Sequence, residues 1–155
     1  MKMSGKKGQA SMELLITLAF VMMMLIPITV LVYLQTSSGT EQLSIDQAQQ
    51  SVSRLKNAAD MVAAQGAPAK TTINIIIPRG LNRTIIGSQE PPYIGREIVF
   101  GINTAGGETQ IVATTLYNIT GDLGDYTHAG TYPVAVEAVD NCKGTGMPCV
   151  VISPA

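Results

Sequence analysis

Tryptophan is absent from this chain of 155 residues, and only two phenylalanines occur. Charged residues make up 14% of the sequence, and 10 basic side chains are balanced by 11 acidic ones. Proteins that bind nucleic acid present a basic face, and those that bind single strands add aromatic side chains for base stacking. The sequence has neither feature, so we expect no nucleic-acid partner.

Cysteine is also scarce, since only Cys142 and Cys149 occur, with a glycine-rich stretch between them. Two cysteines cannot complete a tetrahedral zinc site alone, and their spacing differs from the CxxC of redox proteins. In an exported chain they predict a disulfide that closes a small loop, which contributes about 2.5 kcal/mol by loop entropy. Two reduced structural thiols are the alternative.

Recognisable catalytic and cofactor-binding patterns are lacking. His128 is the only histidine, and no other ligand stands at metal-binding spacing from it. Asp122 belongs to a Gly/Asp turn without EF-hand spacing, and no glycine-rich phosphate loop with its lysine follows a strand. Three successive methionines, Met22 to Met24, are interpreted as packing residues. We therefore predict a protein that is not an enzyme and binds no cofactor or metal.

What the sequence does contain is one long uncharged run. From Leu14 to Leu34, 21 residues carry no charge, and only Thr17, Pro27 and Thr29 interrupt their apolar character. About 20 such residues form a helix long enough to cross the hydrocarbon core of a bilayer. Glu13 stands at the head of this run, where a carboxylate is costly and usually has a partner and a function.

Basic residues precede the apolar run, at Lys2, Lys6 and Lys7. By the positive-inside rule, this end stays in the cytoplasm and the C-terminal part is exported. A secretory signal peptide that is cleaved near Ser37-Ser38-Gly39 is an alternative. However, the run is longer than an ordinary signal-peptide core, and a helical pattern resumes beyond it, which favours a retained helix.

The segment after the apolar run has the periodicity of an amphipathic helix. Its apolar residues recur at spacings of three and four, at Ile45, Ala48, Val52, Leu55, Ala59 and Val62. Gly66 and Pro68 then supply a stop signal. We therefore predict one helix from about Gln9 to Gln65, with Ser37-Ser38-Gly39 as a candidate hinge. Its amphipathic continuation, residues 37–68, must cover another element.

Residues 69–155 have the composition of a β-sheet domain. Six β-branched or apolar stretches are separated by clusters of Gly, Pro, Asn and Asp. The predicted strands are residues 71–77, 83–86, 97–102, 109–117, 132–139 and 148–152. Because no helical pattern intervenes, we predict a small antiparallel sheet with the amphipathic helix packed on one face. The predicted fold class is therefore α+β.

The string Gln9-Ala10-Ser11-Met12-Glu13, behind Lys6-Lys7-Gly8, resembles the class III signal peptide of archaeal type IV pilin-like proteins. The family pattern is Q-x-S-x-E, with a leucine four residues after the glutamate. This chain matches the glutamine, the serine and the glutamate, whereas Thr17 stands at the last position with Leu18 beside it. The layout of a long helix before a β head extends the resemblance loosely to the whole chain.

The resemblance implies that a prepilin peptidase cuts between Gly8 and Gln9. Residues 1–8 are then a leader, and residues 9–36 form a helix that spans the membrane and later lies in the core of a filament. The subunit polymerises with copies of itself, with the help of an assembly platform protein and a cytoplasmic ATPase. In this family the glutamate, here Glu13, is thought to pair with the N-terminal amine of a neighbouring subunit, here that of Gln9.

The expected function is that of a structural subunit of an archaeal surface pilus, used for adhesion or surface contact. It would lie in the cell membrane before assembly and on the cell surface afterwards. The alternatives are a minor, membrane-anchored pilin-like protein whose head binds a ligand, an archaellin-related subunit, and an exported hydrolase on an uncleaved anchor. Two Asn-x-Thr sequons, at Asn82 and Asn118, are candidate N-glycosylation sites of an exported chain.

Overall fold

The structure is a computed structural model that describes residues 5–124, 126 and 128–155, with the backbone alone for residues 5–11, 37 and 38. Its elements are the helix α1 (Gly5–Gln65) and the strands β1 (Lys70–Ile77), β2 (Leu81–Gly87), β3 (Gly95–Thr104), β4 (Gly107–Gly121), β5 (Gly130–Val139) and β6 (Cys149–Pro154). The fold class is α+β, as predicted. Two compact units are present, of which the first ends at Thr40 and the second covers Glu41–Ala155.

The first unit consists of the N-terminal part of α1. The helix begins at Gly5, within the predicted leader, and its backbone stays helical through residues 37–39, the candidate hinge. Pro27 lies inside the helix and has no N–H to donate. The carbonyl of Met23, four residues earlier, therefore lacks its usual helical hydrogen bond.

In the second unit, residues 41–65 of α1 cover one face of the sheet. The predicted apolar stripe is confirmed here, because five of its six residues are no more than 2% exposed: Ala48, Val52, Leu55, Ala59 and Val62. The sixth, Ile45, is half-buried. The stop signal is confirmed as well, since the helix ends at Gln65 and Gly66 takes a left-handed φ of 75°.

The strands lie in the order β1-β5-β6-β4-β3-β2. Neighbouring strands are antiparallel except for β4 and β6, which run parallel from Ile119↔Val150 to Gly121↔Ile152. The prediction of an antiparallel sheet is therefore wrong for this pair, and the sheet is mixed. Because β4 and β5 run in opposite directions, the strand between them must be parallel to one of the two, and β6 is antiparallel to β5.

The core of the second unit lies between α1 and the sheet. Its largest fully buried side chains include Phe100, Leu55, Ile75, Ile98 and Ile152. Each such side chain contributes about 1.5–3 kcal/mol of transfer free energy when it leaves water. The amphipathic half of the helix and one face of the sheet thus bury each other.

Strand β4 has an irregular register with β3. It pairs with β3 as far as Thr114, opposite Glu97, and the next pair joins Ile119 to Gly95, so the register shifts between them. The hydroxyl of Thr115, in this irregular part, donates to backbone carbonyls, with oxygens 3.1 Å (Arg96) and 2.8 Å (Tyr117) away. This buried hydroxyl replaces the ladder hydrogen bonds that the irregularity interrupts.

Polar side chains of α1 cover the outer edge of β1. The Ser51 hydroxyl donates to the carbonyl of Ile76 at 2.6 Å and accepts the N–H of the same residue at 2.9 Å. Arg54 Nη1 donates to the carbonyl of Asn74 at 3.3 Å. Because β1 is an edge strand, these contacts satisfy backbone groups that no neighbouring strand reaches.

Two carboxylates of α1 bind the sheet at β4 and at the turn before it. Asp60 accepts the N–H of Leu116 at 2.8 Å and also pairs with Lys56 at 2.7 Å. Glu41 accepts the N–H of Ala105, between β3 and β4, at 3.0 Å. Together with Ser51, these contacts fix the helix against the sheet at several points of its length.

Candidate membrane and assembly surface

The apolar segment of α1, defined here as residues 12–36, is exposed on every side within its own unit. Leu14 is 71% exposed, Met23 74% and Tyr33 75%. By length and composition the helix is able to cross a membrane, and none of its most apolar 18-residue stretch is buried. Exposed apolar surface costs roughly 25 cal/mol per Å² in water. The segment is therefore suited to a lipid or protein environment.

The threonines of the apolar segment satisfy their own hydroxyl groups. Thr17, Thr29 and Thr36 each donate to a backbone carbonyl three or four residues earlier, at 2.9–3.0 Å. Such bonds to the preceding turn allow a hydroxyl to enter an apolar environment without leaving a donor unpaired. The threonines thus do not oppose insertion into lipid or packing among other helices.

Glu13 carries the only charge between Met12 and Thr40. Its side chain is exposed, and its carboxylate makes no hydrogen bond or ion pair within the part of the chain that the structure describes. A carboxylate in an apolar environment needs a cation or hydrogen-bond donors to offset its desolvation. A partner of Glu13 would therefore lie outside the described side chains.

The predicted cleavage junction lies in the helical backbone. Gly8 and Gln9 belong to α1, but only the backbone is described for residues 5–11, which include Ser11 of the motif. Residues 1–4 of the predicted leader are outside it altogether.

The two cysteines meet at the hairpin between β5 and β6. A disulfide joins Cys142 to Cys149, whose Cα atoms are 5.5 Å apart, and both residues are at most 5% exposed. Within the loop, the N–H of Cys142 donates to the carbonyl of Met147 at 2.8 Å, and the N–H of Gly146 donates to Asn141 Oδ1 at 2.8 Å. The loop is thus held by both covalent and hydrogen bonds.

An open cleft of about 490 Å³ lies beside this loop, with Arg83, Asp122, Tyr93 and Lys143 among its lining residues. Lys143 Nζ lies 5.2 Å from the centre of the Tyr93 ring, a cation–π contact. Tyr93 and Lys143 both have positive φ, 63° and 48°, which is uncommon for residues other than glycine. Neither residue was predicted from the sequence; the neighbouring Pro91-Pro92 and Gly144 were the available signals of tight turns.

The structure places the two sequons in different environments. Asn82 is exposed near the start of β2. Asn118 lies in β4, is half-buried, and accepts a hydrogen bond from Arg96 Nε at 3.3 Å through its side-chain oxygen. The threonine of the second sequon, Thr120, is 1% exposed, and its hydroxyl has no partner among the described residues.

The predicted site residues do not converge on one centre. Glu13 belongs to the first unit, whereas the cysteines and both sequons belong to the second. Among the described residues, no group of three His, Cys, Asp or Glu side chains is placed to hold a metal ion. His128 is exposed on the loop before β5. The most distinctive surface is thus the apolar segment with its single carboxylate.

In comparisons with known proteins, no family model, curated protein or solved structure matches this chain.

Proposed function

We propose that this chain is a structural subunit of an archaeal type IV pilus-like filament. The observation that carries the proposal is the apolar segment: it is exposed on every side, its threonines are internally bonded, and it bears one carboxylate near its N-terminal end. The motif from Gln9 to Glu13 at the head of this segment gives the proposal its family. The second unit would form the filament surface and make adhesive contacts.

The apolar segment explains how one subunit serves both a membrane and a filament. After cleavage between Gly8 and Gln9 the helix stays in the bilayer, and assembly transfers it into a bundle of identical helices. Both environments are apolar, so the transfer loses little hydrophobic free energy. The assembly platform protein and the ATPase would supply the work of extraction.

Glu13 would set the position of each new subunit. Cleavage frees the amine of Gln9, and the Glu13 carboxylate of a neighbouring subunit pairs with it. In an apolar bundle, a subunit in the wrong axial position leaves one charge buried without a partner, which costs about 3–5 kcal/mol. The correct axial position of a subunit is thereby favoured over shifted positions.

Processing is tested by N-terminal sequencing of the protein recovered from sheared cell-surface filaments. We expect the chain to begin at Gln9, because the peptidase removes only the leader. A chain that begins near Gly39 would mean that the apolar segment is discarded as a signal peptide, and the filament proposal would be wrong.

The role of Glu13 is tested by Glu13→Gln, which keeps the size of the side chain and removes its charge. A loss of about 3–5 kcal/mol corresponds to at least a hundredfold lower incorporation into filaments. The matched control is Thr17→Ala, one turn further along, because the Thr17 hydroxyl bonds only to its own helix. Competition between tagged variant and unaltered subunits in one strain gives the ratio; equal incorporation of Glu13→Gln would contradict the pairing.

A second candidate function is that of a minor, membrane-anchored protein whose head binds a ligand. The cleft beside Tyr93 and Lys143 favours it, because backbone strain at two contacting residues is common at binding sites. Copy number separates the two functions: a major subunit dominates the sheared filament material, whereas a minor binding protein is a trace component or stays with the membrane.

A further inference from the structure

The two edges of the sheet differ in how they are protected. At β1, Ser51 and Arg54 of α1 bond to the outer backbone groups of Ile76 and Asn74. At β2, alternate residues turn their N–H and C=O groups away from β3, and no hydrogen bond from elsewhere in the described chain reaches them. An open edge is a template for pairing with another chain.

Asn82 lies on this open edge strand, at an irregularity. Leu81 pairs with Ile102 and Arg83 pairs with Gly101, so Asn82 is an extra residue without a partner on β3. Its side chain is exposed, and Thr84 of the same sequon is half-buried. The amide nitrogen of Asn82 is thus accessible without disruption of the β2–β3 pairing.

The second sequon has the opposite geometry. Asn118 is bonded to Arg96, and Thr120 pairs with Val151 inside the sheet, where it is 1% exposed. A transferase must reach both the asparagine and the threonine of a sequon. In the folded head, access to Thr120 would require β4 and β6 to separate.

We propose that Asn82 is the N-glycosylated residue of this chain and that its glycan covers the open edge of β2. The proposal rests on the proposed function in one respect, because it needs the head to be exported.

The co-reactant of the transfer is an oligosaccharide linked to a lipid through phosphate. The Asn82 amide nitrogen forms a bond to the anomeric carbon, the carbon–oxygen bond to the phosphate breaks, the phosphate leaves with the electron pair, and one amide proton passes to a base of the transferase.

In a filament, a glycan at Asn82 would prevent the pairing of edge strands between heads. Copies of the head are held side by side at high local concentration. The open edge strand β2 of one head can therefore pair with β2 of another. A bulky hydrated group at Asn82 blocks the approach of a second β2 without changing the core. The helix protects one edge of the sheet, and the modification protects the other.

The modified residue is identified by mass spectrometry of the subunit from its own cells, after reduction and cleavage at glutamate. Pro91 blocks cleavage after Glu90, so Asn82 lies in the peptide from Gln42 to Glu97, whereas Asn118 lies in the peptide from Thr109 to Glu137. We expect added hexose masses on the first peptide only and their loss in Asn82→Gln. An unmodified first peptide, or a glycan on the second, would overturn the assignment.

Edge protection is tested by light scattering of the detergent-solubilised full chain. We expect Asn82→Gln, and the unaltered chain after enzymatic deglycosylation, to self-associate several-fold more than the glycosylated protein. The control is Thr120→Val, which destroys the other sequon and should leave self-association unchanged. Equal scattering of all samples would overturn the protective role.

The subunit isolated from its own cells for mass spectrometry also separates this inference from the proposed function, because its N-terminus and its modification are both measured. A chain that begins at Gln9 but has an unmodified Asn82 would contradict the inference alone. A glycosylated chain that begins near Gly39 would contradict the filament instead.

Discussion

Two buried threonines of β4 have opposite hydrogen-bonding states. Thr115 is 3% exposed and donates to backbone carbonyls, whereas Thr120 is 1% exposed and has no partner among the described residues. A buried hydroxyl without a partner has lost its hydration and gained nothing in exchange. The same residue type therefore stabilises one position of the strand and weakens another.

Substitution of each threonine by valine should separate the two cases. We expect Thr120→Val to raise the free energy of unfolding by about 1 kcal/mol, because it removes an unsatisfied group at nearly constant volume. Thr115→Val should lower it by about 1–3 kcal/mol, because it leaves carbonyls unpaired. Urea unfolding of the full chain in detergent, followed by tyrosine fluorescence, measures both. A loss of stability in Thr120→Val would show that its hydroxyl has a partner in solution.

At single residues, the sequence pattern alone does not separate the sequons. Asn82 and Asn118 have the same Asn-x-Thr form, and only the pairing of their strands shows that one is accessible and the other lies within the sheet. Burial of a side chain depends on which strands become neighbours, and that information is spread over residues far apart in the chain.

At the scale of elements, the contact between α1 and β1 has a specific test. Ser51→Ala removes both hydrogen bonds to Ile76 and leaves its N–H and carbonyl without a partner. We expect the free energy of unfolding to fall by about 1–3 kcal/mol. Ser53→Ala is the matched control, since Ser53 is exposed on the same helix, and should change stability by less than about 0.5 kcal/mol. Equal effects in urea unfolding would mean that the Ser51 contact adds nothing.

Periodicity predicted the elements well, because burial on one face is a local property of a helix or strand. Each predicted strand lies within or close to an observed one, and the stripe from Ala48 to Val62 is buried. The direction of β6 was not predictable in this way, since strand order is decided by long-range packing. The roles of Ser51 and Asp60 were not predictable either, because polarity alone does not distinguish a side chain that bonds to the sheet from one that faces solvent.

At the scale of the whole molecule, the two units should respond differently to the same substitution. Leu55 is fully buried in the second unit, so we expect Leu55→Ala to lower the free energy of unfolding of the head by about 2–5 kcal/mol. Leu25 is 49% exposed in the first unit, and Leu25→Ala should change it by less than about 0.5 kcal/mol. The near-ultraviolet circular dichroism of the head tyrosines reports the transition. A comparable loss in Leu25→Ala would mean that the head depends on the apolar segment.

The position of β6 in the sheet has a consequence for the order of events during synthesis. Without it, the sheet falls into a pair (β1 and β5) and a triplet (β4, β3 and β2) that no ladder connects. β6 is the last of the six strands to be synthesised, so the pair and the triplet cannot be joined before it is complete. Closure of the head is therefore a late, long-range step of the kind that slows folding. A chain whose synthesis stops before Cys149 would leave the two parts of the sheet unjoined, so the last residues of β6 decide whether the sheet closes.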